Sequence, residues 1–447
     1  MDLHVVELDL LPDPAKLAAK IAMRPGAAWL WSNGAKPLTY LACDPIDCAE
    51  RLDPEPQLVL NPSSGRALSY PRWIGLLPYE SFRGLERANA TQPAETREEP
   101  PNLRPCWWRY GAVAVIAGSV KVVGDDPGQV KALVQRLSKD VSEEFAGHFQ
   151  IREHRNDGLN HESRIRAALR HIEAGDVYQI NIARRFDFHV QGQALDWLRI
   201  LGSNAPSPFC FALQSNDLRI AGTSPELCLS LEPEGKLLTR PIKGTRPRGI
   251  TAEQDQEIAQ TLASNPKEIA ELSMVIDLER NDLGRVAELG SVSVLHPGRV
   301  ESYGPVHHRV ATLSAHLKPE TSRADLLKAF LPSGSVTGAP KVRAMELIAL
   351  LESERRGLYT GAYGWLGHDG SLRLAMAIRT LVASNRDAGH YFAGGGIVAD
   401  SIPEQEVEET YWKSSQIMNI STNKTPDYDS LTAAGSAPGD SGDNWAI

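Results

Sequence analysis

The chain has 447 residues, of which 42% are hydrophobic and 23% charged, a composition typical of a globular protein with a large core. It contains 47 Lys and Arg against 56 Asp and Glu, and the formal charge of -9 disfavours a general role in binding nucleic acids or anionic membranes. No apolar run is long enough to span a bilayer, and the amino terminus lacks the basic start of a secretory signal, which predicts a cytoplasmic location.

The chain is predicted to have three parts. Residues 1–150 form an amino-terminal part of the fold, interrupted at 82–105 by a polar, proline-rich stretch that suits an exposed loop. Residues 151–420 carry nearly all of the recognisable motifs. Residues 421–447 contain too few apolar side chains to pack and are predicted to be a disordered tail.

A helix and then a strand begin the second part. The helix predicted over 161–174 has its apolar side chains on one stripe, and Gly175 follows as a common helix stop. In the strand that comes next, Gln179 and Asn181 alternate with isoleucines, which gives the strand one polar face. That face is a candidate lining of a binding site.

The rest of the chain alternates predicted strands with single helices. Strands are predicted at 218–221, Leu227–Leu231, 237–242, 362–366, 372–381 and 391–398, and helices at about 266–280, 323–331, 340–351 and 403–417. Strands in hairpin pairs with single helices between them favour an α+β architecture over a parallel, doubly wound sheet.

The helix predicted over 266–280 carries two glutamates on one face. Asn265 is a capping residue, Pro266 stands at the first helical position and Glu268 at the third, a pattern that marks a helix start. Glu271 lies one turn further along the same face.

The last predicted helix has a second acidic face. Ser401 and Glu404 form a capping-box pattern, and Glu406, Glu409 and Lys413 follow at spacings of three and seven. Taken alone, either acidic face is most simply a solvated surface, because Glu is a common helix former.

Taken together, the four glutamates also suit a magnesium ion. Mg²⁺ is commonly held by one or two direct carboxylates, with waters and substrate oxygens completing its coordination. We predict that Glu271 and Glu409 are direct ligands and that Glu268 and Glu406 act through water.

Two motifs at strand ends carry a candidate acid and a candidate nucleophile. Thr223-Ser-Pro-Glu226 ends one predicted strand, and Lys243 lies between Ile242 and Gly244 at the end of another. Partial desolvation of a lysine lowers its pKa and frees the amine to attack. From this motif alone, a lysine whose head group reaches solvent is the simpler interpretation.

These segments together resemble the chorismate-binding enzymes, the family that holds anthranilate synthase component I, aminodeoxychorismate synthase component I, and the isochorismate and salicylate synthases. The similar blocks run in order from about residue 161 to 418 and include Gly175-Asp-Val-Tyr-Gln-Ile-Asn, Pro241-Ile-Lys-Gly-Thr-Arg-Pro, Val275-Ile-Asp-Leu-Glu-Arg-Asn-Asp-Leu-Gly-Arg-Val286, Ser335-Val-Thr-Gly-Ala-Pro-Lys and Gly394-Gly-Gly-Ile-Val-Ala-Asp-Ser. The resemblance implies a four-layer α/β/β/α fold, in which two antiparallel-rich sheets pack face to face and enclose the site.

The resemblance also implies roles for residues at matching positions. Glu226 resembles the acid that protonates the departing 4-hydroxyl of chorismate, and the two glutamate pairs resemble magnesium-binding helices. The residues assigned to binding the ring and its two carboxylates are Gln179, Thr245, His308, Tyr359, Arg379, Gly394, Gly395 and Lys413. Each has a structural alternative, such as a core position for the tyrosine, and only the joint match favours the site.

Two positions distinguish the branches of the family. The isochorismate and salicylate branch carries a water-activating lysine where this chain has Gln179, so ammonia is the expected nucleophile here. The anthranilate branch carries alanine where this chain has Lys243. The resemblance therefore implies that Lys243 attacks C2 of chorismate and that ammonia then attacks C4, which gives 4-amino-4-deoxychorismate for 4-aminobenzoate and folate synthesis.

The remaining expectations concern the nitrogen source and the alternatives. No cysteine lies in a Gly-x-Cys-x-Gly turn of the kind that presents a nucleophile, so no glutaminase is expected within this chain. The resemblance implies that ammonia comes from a separate glutaminase subunit. Anthranilate synthase component I is the alternative enzyme, and a non-catalytic metabolite-binding homologue is the alternative from another class. The chain departs from the family pattern at Val407, where a tyrosine is often seen. Near Leu30 it also lacks the Leu-Leu-Glu-Ser block that would indicate feedback inhibition by tryptophan.

Overall fold

The secondary structure is taken from a computed structural model that describes residues 3–32, 37–55, 69–82, 103–139, 152–155, 158–216, 218–384 and 388–418. The helices of these residues are α1 (Pro14–Ala19), α2 (Pro127–Leu137), α3 (Gly158–Glu173), α4 (Ala194–Asn204), α5 (Ala252–Ser264), α6 (Pro266–Gly284), α7 (Arg323–Phe330), α8 (Lys341–Leu351) and α9 (Pro403–Met418). The strands are β1 (His4–Leu8), β2 (Ala27–Ser32), β3 (Leu38–Ala42), β4 (Asp47–Ala49), β5 (Pro71–Leu77), β6 (Cys106–Arg109), β7 (Ala112–Ile116), β8 (Val120–Gly124), β9 (Arg152–Arg155), β10 (Gln179–His189), β11 (Phe209–Ser215), β12 (Leu218–Ser224), β13 (Leu227–Leu231), β14 (Lys236–Arg240), β15 (Ile242–Pro247), β16 (Ser293–Tyr303), β17 (Val306–His316), β18 (Gly338–Ala339), β19 (Ala362–Gly367), β20 (Leu372–Met376), β21 (Thr380–Ala383) and β22 (Ala388–Ile397).

The strands form two antiparallel sheets. In the described part of the chain, the first sheet has the order β1-β8-β7-β3-β2-β11-β12-β21-β22-β10-β18, with β9 also paired to β10. The second has the order β15-β17-β14-β13-β20-β19-β5-β6-β4, with β16 also paired to β17. Strands from the first 150 residues join both sheets, since β2 pairs with β11 and β5 pairs with β19. The predicted α+β fold with two antiparallel sheets is confirmed.

Alternating side chains explain why both faces of the first sheet are buried. In β2, Ala28 and Leu30 point into the layer between the sheets, whereas Ala27 and Trp29 point to the layer under α1, α2 and α4. The inner layer joins the sheets through aromatic contacts, such as those between β11 and β19. Helices α6 and α7 cover the outer face of the second sheet. The result is the predicted four-layer order of helices, sheet, sheet and helices.

Two predicted strands are interrupted in the structure. The run predicted over 237–242 breaks at Pro241, which has no N–H to donate to a neighbouring strand, and continues as β15. The run predicted over 372–381 breaks between β20 and β21, where Arg379 has a φ of 51°. The long β16–β17 hairpin was not predicted from the sequence.

Two predictions fall outside the described residues. These are the disordered tail at 421–447 and nearly all of the loop at 82–105. Among the helices that the structure does describe, none is both long and apolar enough to cross a membrane.

Candidate active site

The candidate acid, Glu226, lies in the short connection between β12 and β13. Its side chain is almost fully buried, and the Ser335 hydroxyl donates a 2.6 Å hydrogen bond to its Oε1 atom. Burial raises the pKa of Glu226 to about 7, although the charges of Lys243 and Arg379 oppose the shift. The carboxyl group can therefore hold a proton near neutral pH, as a general acid must.

The candidate nucleophile, Lys243, lies in a β-bulge of β15. The pairing register of β15 with β17 shifts between Ile242 and Thr245, and Gly244 within the bulge has a φ of 84°. Bulges are common next to active sites, where they redirect a side chain. Desolvation lowers the pKa of Lys243, against the opposing charge of Glu271. A lowered pKa increases the fraction of neutral amine that can attack.

Lys243 and Gln179 meet above a glycine of β22. A Cβ atom at Gly396 would lie 2.6 Å from Gln179 Nε2 and 3.2 Å from Lys243 Nζ. Gln179 is almost fully buried, and its Oε1 atom has no hydrogen-bond partner among the described residues. Gln179, on the polar face predicted for this strand, therefore lies next to the lysine.

Three of the predicted substrate-binding residues form one cluster. Thr245 Oγ1 and His308 Nδ1 lie 2.8 Å apart, and the charge of Arg379 acts on His308. Burial, with a contribution from this arginine, lowers the pKa of His308 to about 3, so the imidazole is neutral. Burial also lowers the pKa of Arg379. The cluster offers a guanidinium to an anionic ligand.

Tyr359 is held by stacking and by a buried ion pair. Its ring stacks on Phe392 with the centroids 5.3 Å apart, and the guanidinium of Arg356 lies 5.6 Å from its ring centroid. Arg356 pairs with Glu352 at 2.6 Å, and both side chains are buried. Glu352 accepts a hydrogen bond from the N–H of Ala183, and Arg356 donates one to the backbone of β10. The pair therefore holds this strand in place. This supporting pair was not predicted.

The starts of the two acidic helices differ from each other. The Asn265 side chain accepts from the backbone N–H of Glu268, at 3.2 Å, which confirms the predicted cap of α6. Helix α9 begins at Pro403, so Ser401 stands one residue too early to cap it. The Ser401 hydroxyl instead donates to Glu406 Oε1 at 2.7 Å, and the predicted capping box is wrong.

Glutamates of both helices lie close enough to Glu271 for their charges to shift its pKa. Burial raises the pKa of Glu271, and the charges of Glu268 and Glu406 raise it further. Arg246 pairs with Glu268 at 3.0 Å. Within the part of the chain that is described, no three His, Cys, Asp or Glu side chains are arranged as ligands of one metal ion. The carboxylate chemistry fits a hard cation such as Mg²⁺, and the magnesium site stays a prediction.

Lys413 and the glycines of β22 form one edge of this acidic region. Lys413 Nζ pairs with Glu409 Oε1 at 2.6 Å and donates to the carbonyl of Gly394 at 2.8 Å. A Cβ atom at Gly395 would lie 2.9 Å from Glu406 Oε2. The glycines therefore leave room for the acids to approach the strand.

A second buried acid lies behind Glu226. Ser335 Oγ is 3.0 Å from Ser333 Oγ, which is 2.8 Å from Glu279 Oε1. The Thr239 hydroxyl donates to Glu279 Oε2 at 2.9 Å. This connection was missed from the sequence, although Glu279 and Ser335 both lie in blocks that resemble the family.

The sequence profile described as chorismate binding enzyme matches residues 23–419, and the chain belongs to this family. It is 36% identical to aminodeoxychorismate synthase component 1 of Klebsiella aerogenes over 397 residues, which are 87% of this chain and 83% of that protein. It is 44% identical to anthranilate synthase component 1 of Aquifex aeolicus over 254 residues, 57% of this chain, and so spans about half the length (51%) of that relative. The crystal structure of anthranilate synthase component I from Streptococcus pneumoniae matches with a TM-score of 0.73 and 30% identity, and the match covers 86% of this chain and 92% of that one.

Proposed function

We propose that the chain adds ammonia to chorismate and gives 4-amino-4-deoxychorismate and water. The observation that carries the proposal is Lys243, a partly desolvated amine between Gln179 and the acidic helices and within electrostatic range of Glu226. A site that bound chorismate without turning it over would need neither an amine of lowered pKa nor a buried, protonated acid.

The proposed reaction has two displacements that share one lysine. Lys243 Nζ forms a bond to C2 while the C4–O bond breaks, the ring double bonds shift, and Glu226 protonates the departing hydroxyl, which leaves as water. Ammonia then forms a bond to C4 while the bond between C2 and Nζ breaks. The proton that the lysine nitrogen loses on attack returns to it on release, and the proton that ammonia loses restores Glu226. Covalent catalysis replaces one difficult displacement by two easier ones.

The anionic substrate would be held by the cations of the site. Arg379 and Lys413 are the side chains that can offer charge-assisted hydrogen bonds to its carboxylates. A bound Mg²⁺ would neutralise a carboxylate of the ring and would be held by the glutamates of α6 and α9. Without such a cation, these four acids would repel a dianion.

Ammonia is proposed to come from a separate glutaminase chain. The second candidate function is that of anthranilate synthase component I, and a specific observation favours it. The relative from Aquifex and the solved structure from Streptococcus both carry that name, at 44% and 30% identity. The two functions share the substrate and the nitrogen donor and differ in the position of attack, so only the product separates them.

Product analysis with purified protein tests the proposal. The chain is incubated with chorismate, Mg²⁺ and an ammonium salt as the only nitrogen donor, and products are identified by mass spectrometry with and without an added aminodeoxychorismate lyase. We expect 4-aminobenzoate only when the lyase is present. Fluorescent anthranilate in its place would overturn the proposed product.

A matched pair of lysine variants tests the nucleophile. Lys243→Ala is expected to lose formation of 4-amino-4-deoxychorismate, whereas Lys131→Ala, on the exposed face of α2, is expected to keep it. A Lys243→Ala variant that makes this product at the wild-type rate would remove the lysine from the mechanism.

A further inference from the structure

Two of the five cysteines lie side by side at one edge of the second sheet. Cys48 is the middle residue of β4, and Cys106 is the first residue of β6. Their Sγ atoms are 3.2 Å apart and share a hydrogen bond. Cys48 is exposed, whereas Cys43, Cys210 and Cys228 are buried. The pair therefore combines a short distance between two sulfur atoms with access to solvent.

The register of the strands holds the two thiols together. Strands β4 and β6 are antiparallel, with Cys48 opposite Trp108. Cys106 precedes Trp108 by two residues, so both cysteines lie on the same face of the sheet as diagonal neighbours. On its other side, β6 is paired with β5, where Cys106 lies opposite Leu76. The backbone of the sheet, and not only the side-chain conformation, therefore keeps the sulfur atoms close.

A disulfide between these cysteines requires only a small movement. An S–S bond is about 2.0 Å long, so the two Sγ atoms, at 3.2 Å, have to approach each other by about 1.2 Å. Rotation of the exposed Cys48 side chain can supply most of this movement. Strand β4 has three residues and, within the described part of the chain, pairs with β6 alone. Its backbone can therefore adjust without disturbing another strand of the sheet.

We propose that Cys48 and Cys106 are a reversible redox pair, which a hydroperoxide such as hydrogen peroxide converts to a disulfide. The modification is reversible because a reducing thiol attacks the disulfide and releases both cysteines by exchange. Exposure of Cys48 gives both the peroxide and the reducing thiol access to the pair.

The two thiols have different parts in the oxidation. Burial and the hydrogen bond to Cys48 raise the pKa of the Cys106 thiol, which stays protonated. The exposed Cys48 sulfur attacks one oxygen of the peroxide, the O–O bond breaks, and the thiol proton leaves with the other oxygen as water. The Cys106 sulfur then attacks the sulfur of this sulfenic acid, the S–O bond breaks, and the Cys106 proton leaves with the hydroxyl group as a second water. Two thiols are oxidised to one disulfide, and one peroxide is reduced to two waters.

The disulfide would fasten the edge strand β4 to β6. The two cysteines are 58 residues apart along the chain, so the bond restricts the unfolded chain strongly and stabilises the folded one. Strand β15, which carries Lys243, lies at the opposite end of the strand order of this sheet. We therefore expect oxidation to raise Tm and to leave chorismate turnover unchanged.

Three serine variants and the wild-type protein test the pair. Each reduced protein is treated with an equimolar amount of hydrogen peroxide, and free thiols are then counted in denaturant. Intact mass and peptide mapping without a reducing agent locate any new bond, and dimedone traps sulfenic acid. Cys48→Ser and Cys106→Ser each remove one member of the pair, and Cys43→Ser removes a buried thiol outside it. Tm is measured before oxidation, after oxidation, and after reduction with dithiothreitol.

We expect the wild-type protein and Cys43→Ser to lose two thiols and the mass of two hydrogen atoms, with one peptide that joins residues 48 and 106. Their Tm should rise by about 3–5 °C, and dithiothreitol should reverse every change. Cys106→Ser should stop at a sulfenic acid on Cys48, which dimedone traps. Cys48→Ser should form neither the disulfide nor this adduct.

A wild-type protein that keeps all five thiols would overturn the redox pair, as would one in which Cys48 gains oxygen atoms without forming a disulfide. A disulfide to any other cysteine would contradict it equally, and an unchanged Tm would show that the bond does not stabilise the edge strand. Cys48→Ser receives the same peroxide, so effects of methionine oxidation are subtracted, and the Tm of each reduced variant shows whether it is folded. Thiol counts, masses and Tm do not require turnover, so the product of chorismate conversion does not affect this test.

Discussion

Gly396→Ala is the substitution that most directly tests whether Gln179 and Lys243 form one site. The added Cβ atom would lie 2.6 Å from Gln179 Nε2 and 3.2 Å from Lys243 Nζ. Ordinary contacts need about 3.5 Å, so the amide has to move by roughly 1 Å and the amine by a few tenths. Misplacing catalytic groups by about 1 Å can cost on the order of 100-fold in rate, or about 2.7 kcal/mol of transition-state stabilisation. We therefore expect kcat to fall about 100-fold.

Stability should change far less than rate in this variant. The displaced atoms are the ends of flexible side chains, so the fold can adapt, whereas the reaction cannot. The assay measures steady-state chorismate consumption with ammonium and Mg²⁺, alongside thermal denaturation. Gly284→Ala is the control, because a Cβ atom there meets nothing within 4 Å. A Gly396→Ala variant with a kcat within about threefold of wild type would refute the shared site.

Three further predictions concern the metal, the acid and the fold. Chelation of divalent cations should abolish turnover, and added Mg²⁺ should restore it. In Gly395→Ala the new Cβ atom would lie 2.9 Å from Glu406 Oε2, so this variant should need a higher Mg²⁺ concentration for half-maximal rate. An unchanged Mg²⁺ requirement in rate assays would contradict this prediction. Because burial raises the pKa of Glu226 to about 7, kcat should fall as the pH rises through that value and the protonated form is lost, and a kcat that stays flat to alkaline pH would argue against the acid. Arg356→Met leaves Glu352 buried without its cation and should cost about 3–5 kcal/mol of unfolding free energy in urea titrations, and a loss below about 1 kcal/mol would show that the pair does not support the fold.

The sequence predicted the residues of the candidate site better than the connections between them. Gln179 could be placed on a polar strand face because alternation with isoleucines is a local pattern. Glu279, in contrast, stands in a run of charged residues that is typical of an exposed helix. Its burial depends on hydroxyl groups of Thr239 and Ser333, which lie 40 and 54 residues away along the chain. The pattern of polar and apolar residues within one segment cannot reveal contacts with residues so far away in the sequence.

Helix caps show the same limit at shorter range. The cap of α6 was predicted because Asn265 directly precedes Pro266, and proline fixes the first helical residue. The cap of α9 was misplaced because Ser401 has a second possible partner, the Glu406 carboxylate. A serine hydroxyl can bond either group, and the choice depends on the strand that packs above the helix, which the sequence does not reveal.

The two breaks in strand regularity explain why the cations of the site lie where they do. A regular strand through Pro241 would have continued the alternation of β14, but the break and the bulge that follows redirect Lys243 toward β22. The second break lies between β20 and β21, where Arg379 has a positive φ, a conformation that costs free energy in a residue other than glycine. Such a cost persists only where surrounding structure enforces it, and here the carbonyl of Arg379 accepts from Thr223 N, three residues before Glu226. The irregular residues, and not the regular strands that flank them, therefore bring the amine and the guanidinium to the buried acid.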